Sequence, residues 1–139
     1  MFVIDASLYA SIVVRDEFYE RARDFLSKAR HVRCVTLDLA LIEAYNALWR
    51  HTYLLKRIPR DRFGALASLL EEVFKWSTSR VYNAADECKR SIELAVEYGM
   101  PIYDALYLAR RLGFRVATFD LKLLERLKGT DLAALIYVP

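Results

Sequence analysis

The chain predicts an α/β fold in which a parallel sheet is covered by helices on both faces. Two observations carry this reading. Short strand-like runs such as Phe2-Val3-Ile4 and Val32 to Val35 alternate with longer stretches of helical periodicity, the signature of a parallel sheet with crossover helices. The four glycines and three prolines fall where elements should end, and no repeat, low-complexity tract or linker interrupts the pattern. At 139 residues the chain fits one domain, residues 1–139, able to bury a core without disulfides or a structural metal.

The elements follow in order. Phe2 to Ile4 reads as a short buried strand, and Ala6 to Val14 as a helix. Asp16 to Ala29 is a second helix, with Phe18, Ala22, Phe25, Leu26 and Ala29 on one face. Val32 to Val35 is a β-branched strand, and Thr36 then caps a helix running to about Lys56. The segment from Ile58 to Asp61 is a turn before a helix from Phe63 to Trp76. Ser79 to Tyr82 is a third strand, followed by a helix from Ala84 to Tyr98 closed by Gly99. Pro101 precedes a helix from about Tyr103 to Leu112, with Gly113 in the position after its end. Phe114 to Thr118 is a strand, Leu121 to Lys128 a short helix, and Leu135 to Val138 a final strand.

Composition narrows the function classes. The apolar fraction is 55%, yet the longest apolar stretches, around Leu37 to Trp49 and Ala133 to Val138, are broken by acids or too short to cross a bilayer. The opening Phe2-Val3-Ile4-Asp5 has neither a basic leader nor a cleavage site, which predicts a cytoplasmic protein. Cys34 and Cys88 have no CxxC spacing and read as two buried, reduced thiols. Fifteen arginines against six lysines, with no glutamine, fit a hot habitat or a codon bias.

Four acids stand out: Asp5, Glu43, Asp104 and Asp120. Asp5 and Asp120 each follow a strand directly, on the side of a parallel sheet where ligands collect. Either can equally serve as a helix N-cap, worth about 1 kcal/mol. Asp104 falls in the first turn after Pro101, where the helix dipole favours any carboxylate. Glu43 is the sole acid between Leu39 and Trp49, among apolar neighbours, and such a carboxylate needs a cation, whether a metal or an arginine such as Arg50. Gathered at roughly 4 Å, each like-charge pair would cost about 4 kcal/mol at an effective dielectric near 20. Such a cluster takes up protons or binds metal. With oxygen ligands alone, Mg²⁺ or Mn²⁺ is the expected ion, and phosphodiester hydrolysis the expected chemistry.

The remaining features are weaker. Ser7 and Thr118 put hydroxyls beside the two strand-end acids, where they can orient a ligating carboxylate or an attacking water, or act as ordinary caps. His31 and His51 show no ligand spacing. The net charge is +3, and removing the four acids from the count leaves +7, a basic body suited to a polyanion, or simply a solvated charged surface. The stretch from Lys56 to Arg62 is a solvated turn or a phosphate grip. The aromatics, including Trp49, Trp76 and nine tyrosines, recur at helical spacing and mostly fill the core or a dimer interface; some can stack on bases, and no sequence feature selects which.

The segments around these acids resemble the PIN-domain family, most closely its small VapC-type toxins. Val3-Ile4-Asp5-Ala6-Ser7, Glu43-Ala44-Tyr45-Asn46-Ala47-Leu48, Tyr103-Asp104-Ala105-Leu106-Tyr107-Leu108-Ala109 and Thr118-Phe119-Asp120 occur in the family's order and spacing. The resemblance spans essentially the whole chain. It implies a three-layer α/β/α sandwich with a five-stranded parallel sheet. It also implies a Mg²⁺- or Mn²⁺-dependent endoribonuclease, often homodimeric and inhibited by a small antitoxin, that leaves 5′-phosphate and 3′-hydroxyl ends. The four metal-binding and catalytic acids carry over onto Asp5, Glu43, Asp104 and Asp120, and the supporting hydroxyls onto Ser7 and Thr118. Arg110-Arg111 depart from the family, which more often has small apolar residues there.

Rival readings find less support. An Asp-nucleophile phosphatase or dehalogenase wants a second Asp two residues after the first, where this chain has Ser7. Neither GxGxxG nor GxxxxGK[ST] occurs, which argues against a nucleotide-binding module. A nuclease of RNA processing or quality control without an antitoxin, and a non-catalytic RNA- or partner-binding protein, stay open as alternatives.

Overall fold

Each strand of the sheet is only two to four residues long, and its two central members are buried almost completely. The computed structural model describes residues 1–109 and 114–139. In chain order the elements are β1 (Phe2–Ile4), α1 (Ala6–Val14), α2 (Tyr19–Ser27), β2 (Cys34–Leu37), α3 (Asp38–Trp49), α4 (Phe63–Ser77), β3 (Arg80–Tyr82), α5 (Ala84–Tyr98), α6 (Ile102–Ala109), β4 (Arg115–Ala117), α7 (Leu121–Leu127) and β5 (Ile136–Tyr137). A π-helical turn, Arg50–Leu54, prolongs α3, and 3₁₀ turns occupy Arg60–Arg62 and Asp131–Leu135.

All four strand pairings are parallel, in the order β3-β2-β1-β4-β5. Val3 and Ile4 of β1 and all four residues of β2 are buried, so these strands read as apolar runs rather than alternating patterns. The chain crosses the sheet one way from β1 through β2 to β3, then turns back to β4 and β5. Right-handed crossovers therefore place α1 to α4 on one face and α5 to α7 on the other, giving three layers. The packing agrees: α1 lies against α2, α3 and α4, while α5 lies against α6.

The core explains how the helices are aimed. Ala40, Ala44 and Leu48 form the buried stripe of α3, at i, i+4 and i+8. The two alanines let α3 approach α1 closely, where Leu8, Tyr9, Ile12 and Val13 are buried. Tyr9 keeps its hydroxyl satisfied at depth through Thr78 Oγ1, 2.7 Å away. From α4, Leu66, Leu70 and Phe74 complete this side of the core. Glu43 precedes Ala44, so the approach of α3 to α1 brings its carboxyl toward the first turn of α1.

The structure revises several expected boundaries. Thr36 lies inside β2 rather than capping a helix: it is fully buried, and its hydroxyl donates to the Ile4 carbonyl at 2.6 Å. Helix α3 starts at Asp38, whose Oδ1 accepts from the Ala84 N–H at 2.9 Å and so ties the starts of α3 and α5. Its α-helical course ends at Trp49, and Lys56, with φ 53°, lies beyond the π-helical turn. Helix α2 begins at Tyr19, because Arg15 takes a left-handed conformation and Asp16 spends its carboxylate on Ser11 Oγ and the Phe18 N–H. Cys34 is buried as expected, but Cys88 is exposed on α5. The expected helix end at Leu112 and Gly113, and the Arg110-Arg111 pair, lie outside the described residues.

Replacing Thr36 with Val keeps the side-chain shape but leaves a buried carbonyl short of a partner. This should lower the free energy of urea unfolding by about 1 to 2 kcal/mol, read from the midpoint at unchanged slope.

Candidate active site

The central strand β1 sends the chain to one side of the sheet and β4 sends it to the other. A crevice opens beyond their C-terminal ends, the position where doubly wound sheets hold ligands. The register pairs Ile4 with Ala117, and the Asp5 N–H continues the ladder to the Ala117 carbonyl at 3.0 Å. Asp5 thus meets Thr118 across the strand ends. A cleft of about 330 Å³ lies here, lined by Asp5, Ser7, Glu43, Asp104, Tyr107 and Asp120, with Ala6, Ala10 and Ala47 as small neighbours. All four acids singled out from the sequence border this cleft, from four separate segments. A larger groove of about 530 Å³ along α4 offers a single acid, Glu72, so chemistry rather than size selects the acidic cleft.

Asp5 is held by two hydroxyls. Ser7 Oγ and Thr118 Oγ1 each donate to Asp5 Oδ2 at 2.6 Å. Those bonds use the one proton each hydroxyl has, so the 3.3 Å approach between the two oxygens is a contact rather than a further bond. Their lone pairs accept the N–H groups of Phe119 and Asp120, both at 2.9 Å. The turn from β4 into α7 is thereby fixed to the end of β1, and Phe119 is braced from behind by stacking on Phe18 at 4.7 Å. Asp5 is also the N-cap of α1, and Asp120 caps α7 through the Lys122 and Leu123 N–H groups. Both strand-end acids are therefore caps and cleft residues at once.

The helical acids have their own donors. Glu43 Oε2 accepts from the Tyr107 hydroxyl at 2.6 Å, so its partner is Tyr107 rather than the arginine, Arg50, considered from the sequence. Asp104 Oδ2 meets Arg126 Nη1 at 2.7 Å across α6 and α7. Sequence reasoning missed both donors. Tyr107 lies one turn after Asp104 on the same helix, a signal that spacing could have supplied. Nothing in the sequence marks Arg126, which the packing of α7 brings to Asp104.

Burial and mutual repulsion act on these groups. Burial pushes the Asp5 carboxyl above its usual range against the pull of Ser7 and Thr118. Burial also raises Glu43, opposed by the Tyr107 hydrogen bond and reinforced by the charges of Asp5 and Asp104. Asp104 is raised by burial and by Asp120, with Arg126 opposing. Tyr107, buried beside Asp5 and Glu43, is raised far enough to stay a hydrogen-bond donor throughout the working pH range. The donor set is all oxygen, the chemistry of a hard divalent cation. Among the described residues, no three His, Cys, Asp or Glu side chains converge tightly enough to cage an ion. Each acid is instead turned to its nearest protein donor. Mg²⁺ keeps much of its water and binds through one or two carboxylates, so the arrangement fits such an ion without a cage.

A three-layer α/β fold with four carboxylates around the crevice at its switch point defines the class: an acidic cleft whose donors are all oxygens. The chain belongs to the PIN domain family, whose model matches residues 2–129. It is 34% identical over 127 residues to ribonuclease VapC3 of Pyrobaculum aerophilum, covering 89% of this chain and 92% of that protein. It is also similar to the crystal structure of PAE2754 from Pyrobaculum aerophilum, with a TM-score of 0.65 and 28% identity over 96% of this chain and 85% of that one.

The raised Asp5 carboxyl sets a pH dependence. A carboxyl whose folded pKa lies above its unfolded value favours folding below the unfolded value, and that contribution is lost as pH rises through the folded one. Asn stays neutral and caps about as well as Asp. In metal-free solution, D5N and wild type should melt together near about pH 4. The variant should become the more stable of the two as pH rises toward 7, as followed by circular dichroism.

Proposed function

We propose that residues 1–139 form one nuclease domain that hydrolyses RNA internally with the help of Mg²⁺ or Mn²⁺. The observation that carries this is the convergence of Asp5, Glu43, Asp104 and Asp120 on one cleft from four segments of the chain. Membership of the PIN family and similarity to a protein named as a ribonuclease support it. In this reading the four acids hold the metal and are the catalytic groups, while Ser7 and Thr118 support them.

Each residue has a role that follows from its contacts. Ser7 and Thr118 saturate Asp5 Oδ2, which leaves Oδ1 to meet a cation. Tyr107 holds Glu43 in one rotamer by its 2.6 Å bond and stays protonated while doing so. Asp120 keeps Oδ1 on the first turn of α7, which leaves Oδ2 to meet a cation. Arg126 offsets the charge of Asp104 through their 2.7 Å pair, and would be free to meet a phosphate oxygen were a cation bound at Asp104. When bound, a divalent ion supplies a lowered pKa for the attacking water and charge to stabilise the leaving 3′ oxygen. In-line attack would leave a 5′-phosphate and a 3′-hydroxyl.

The similarity to ribonuclease VapC3 supports a toxin paired with a small antitoxin; in this reading the protein acts in the cytoplasm as a homodimer. No helix among the described residues is long and apolar enough to cross a membrane. A processing nuclease without an antitoxin, or an RNA binder that does not cut, are the competing readings.

Labelled RNA should be cut with Mg²⁺ or Mn²⁺, spared with EDTA, and cut again when metal is restored. D5N should lose cleavage while folding normally. A variant that cuts at the wild-type rate would make Asp5 a cap alone, and RNA bound but never cut would favour the non-catalytic reading. Arg126→Gln frees Asp104 from a partly exposed ion pair, so it should tighten Mn²⁺ binding by about two- to fivefold in calorimetric titration without RNA.

A further inference from the structure

Trp49 and Tyr53 stand at the C-terminal end of α3 as a pair of exposed rings, 43% and 36% accessible. Their centroids are 6.2 Å apart and their planes 23° from parallel. The π-helical turn Arg50–Leu54 carries Tyr53, and such turns are frequent at functional sites. The pair is braced rather than loose. Phe63 meets Tyr53 edge-on at 5.9 Å, the Arg60 guanidinium sits 4.9 Å from its ring centre, and buried Thr52 donates to the Leu48 carbonyl at 2.9 Å. Rings ordered in advance lose little freedom when a ligand stacks on them.

The surroundings are cationic. Arg50, Lys56, Arg57, Arg60 and Arg62 are all exposed, and Asp61 is the single acid from residue 50 to residue 62. Among the described residues none of these five cations is held in an ion pair. A second copy of the chain docking through this face would set the cations against their own counterparts, an arrangement that like charges oppose. A polyanion with flat rings fits it on both counts. The face is also continuous with the cleft: Glu43, Asn46 and Arg50 follow one another at i, i+3 and i+7, and Asn46 and Arg50 are exposed. Arg50 is about 10 Å along the helix axis from Glu43, from the rise of 1.5 Å per residue.

We propose that Trp49 and Tyr53 form a base-stacking platform for single-stranded RNA, with Arg50 and Arg57 on the phosphates. It holds the substrate strand beside the acidic cleft. The platform gives the strand a footing outside the reacting centre, so it sets preference for unpaired RNA over duplex. This rests on the ribonuclease reading, and the test separates the two.

The chain has two tryptophans, Trp49 and Trp76. A Trp76→Phe variant makes Trp49 the sole indole reporter. Titrated in EDTA with a 5′-fluorescein-labelled oligouridylate of about 12 nucleotides, it should bind by anisotropy with Trp49 emission quenched in parallel. Affinity should fall steeply with added salt. Removing Tyr53 (Y53A in the Trp76→Phe background) should weaken binding about tenfold, and Arg57→Ala should flatten the salt dependence. An unchanged melting temperature would show that both variants are folded. RNA binding without any change in Trp49 emission overturns the platform, as does quenching that rises with protein concentration in the absence of RNA and so reports self-association. No binding at all overturns it too. Quenching by RNA that no metal allows the protein to cut would sink the nuclease reading and leave the platform standing.

Discussion

The site hangs on one oxygen, Asp5 Oδ2. Two hydroxyls from different strand ends donate to it, and those same hydroxyls accept the N–H groups of Phe119 and Asp120. One carboxylate therefore fixes both the exit of β1 and the exit of β4. Hydrogen bonds linked in this way polarise one another, and in a half-buried setting each is stronger than it would be in water. They add to the β1–β4 ladder and to the buried Leu123 and Leu127 of α7 in setting where Asp120 and Arg126 stand relative to β1.

Around that anchor the fold tolerates a local electrostatic conflict. Burial raises Asp5, Glu43 and Asp104 alike, and neighbouring carboxylates push Glu43 and Asp104 further, against the bonds that each acid makes. Each donor is of a different kind: paired hydroxyls, a phenol, a guanidinium and helix N–H groups. The acids are satisfied one by one rather than as a group, which is why they border the cleft without closing on a point. Conflicts of this sort, kept where the rest of the molecule is consistent, are characteristic of functional sites.

Helix α3 connects the interior to the surface. Its alanine stripe sets the distance to α1 and so the placement of Glu43, while its far end carries the Trp49–Tyr53 rings outward. The basic turn after it is where the sequence favoured a solvated turn, with a phosphate grip as the lesser reading. The structure adds the ring pair beside that turn, which neither composition nor spacing had singled out.

Strand and helix alternation was enough to determine a parallel sheet with two covered faces, because apolar runs and helical periods are local signals. The same is true of the acids, whose positions after strands and in first turns are written in the neighbouring residues. Local signals failed at Thr36, where a hydroxyl that looked like a cap is committed to a neighbouring strand. They also failed at Asp16, which ends up in a turn, and at Cys88, which faces solvent. Only tertiary structure could decide that Asp5 meets Thr118, that Tyr107 serves Glu43 and that Arg126 serves Asp104. Those pairs are 113, 64 and 22 residues apart, and the sheet order and helix packing that join them leave no trace in sequence spacing.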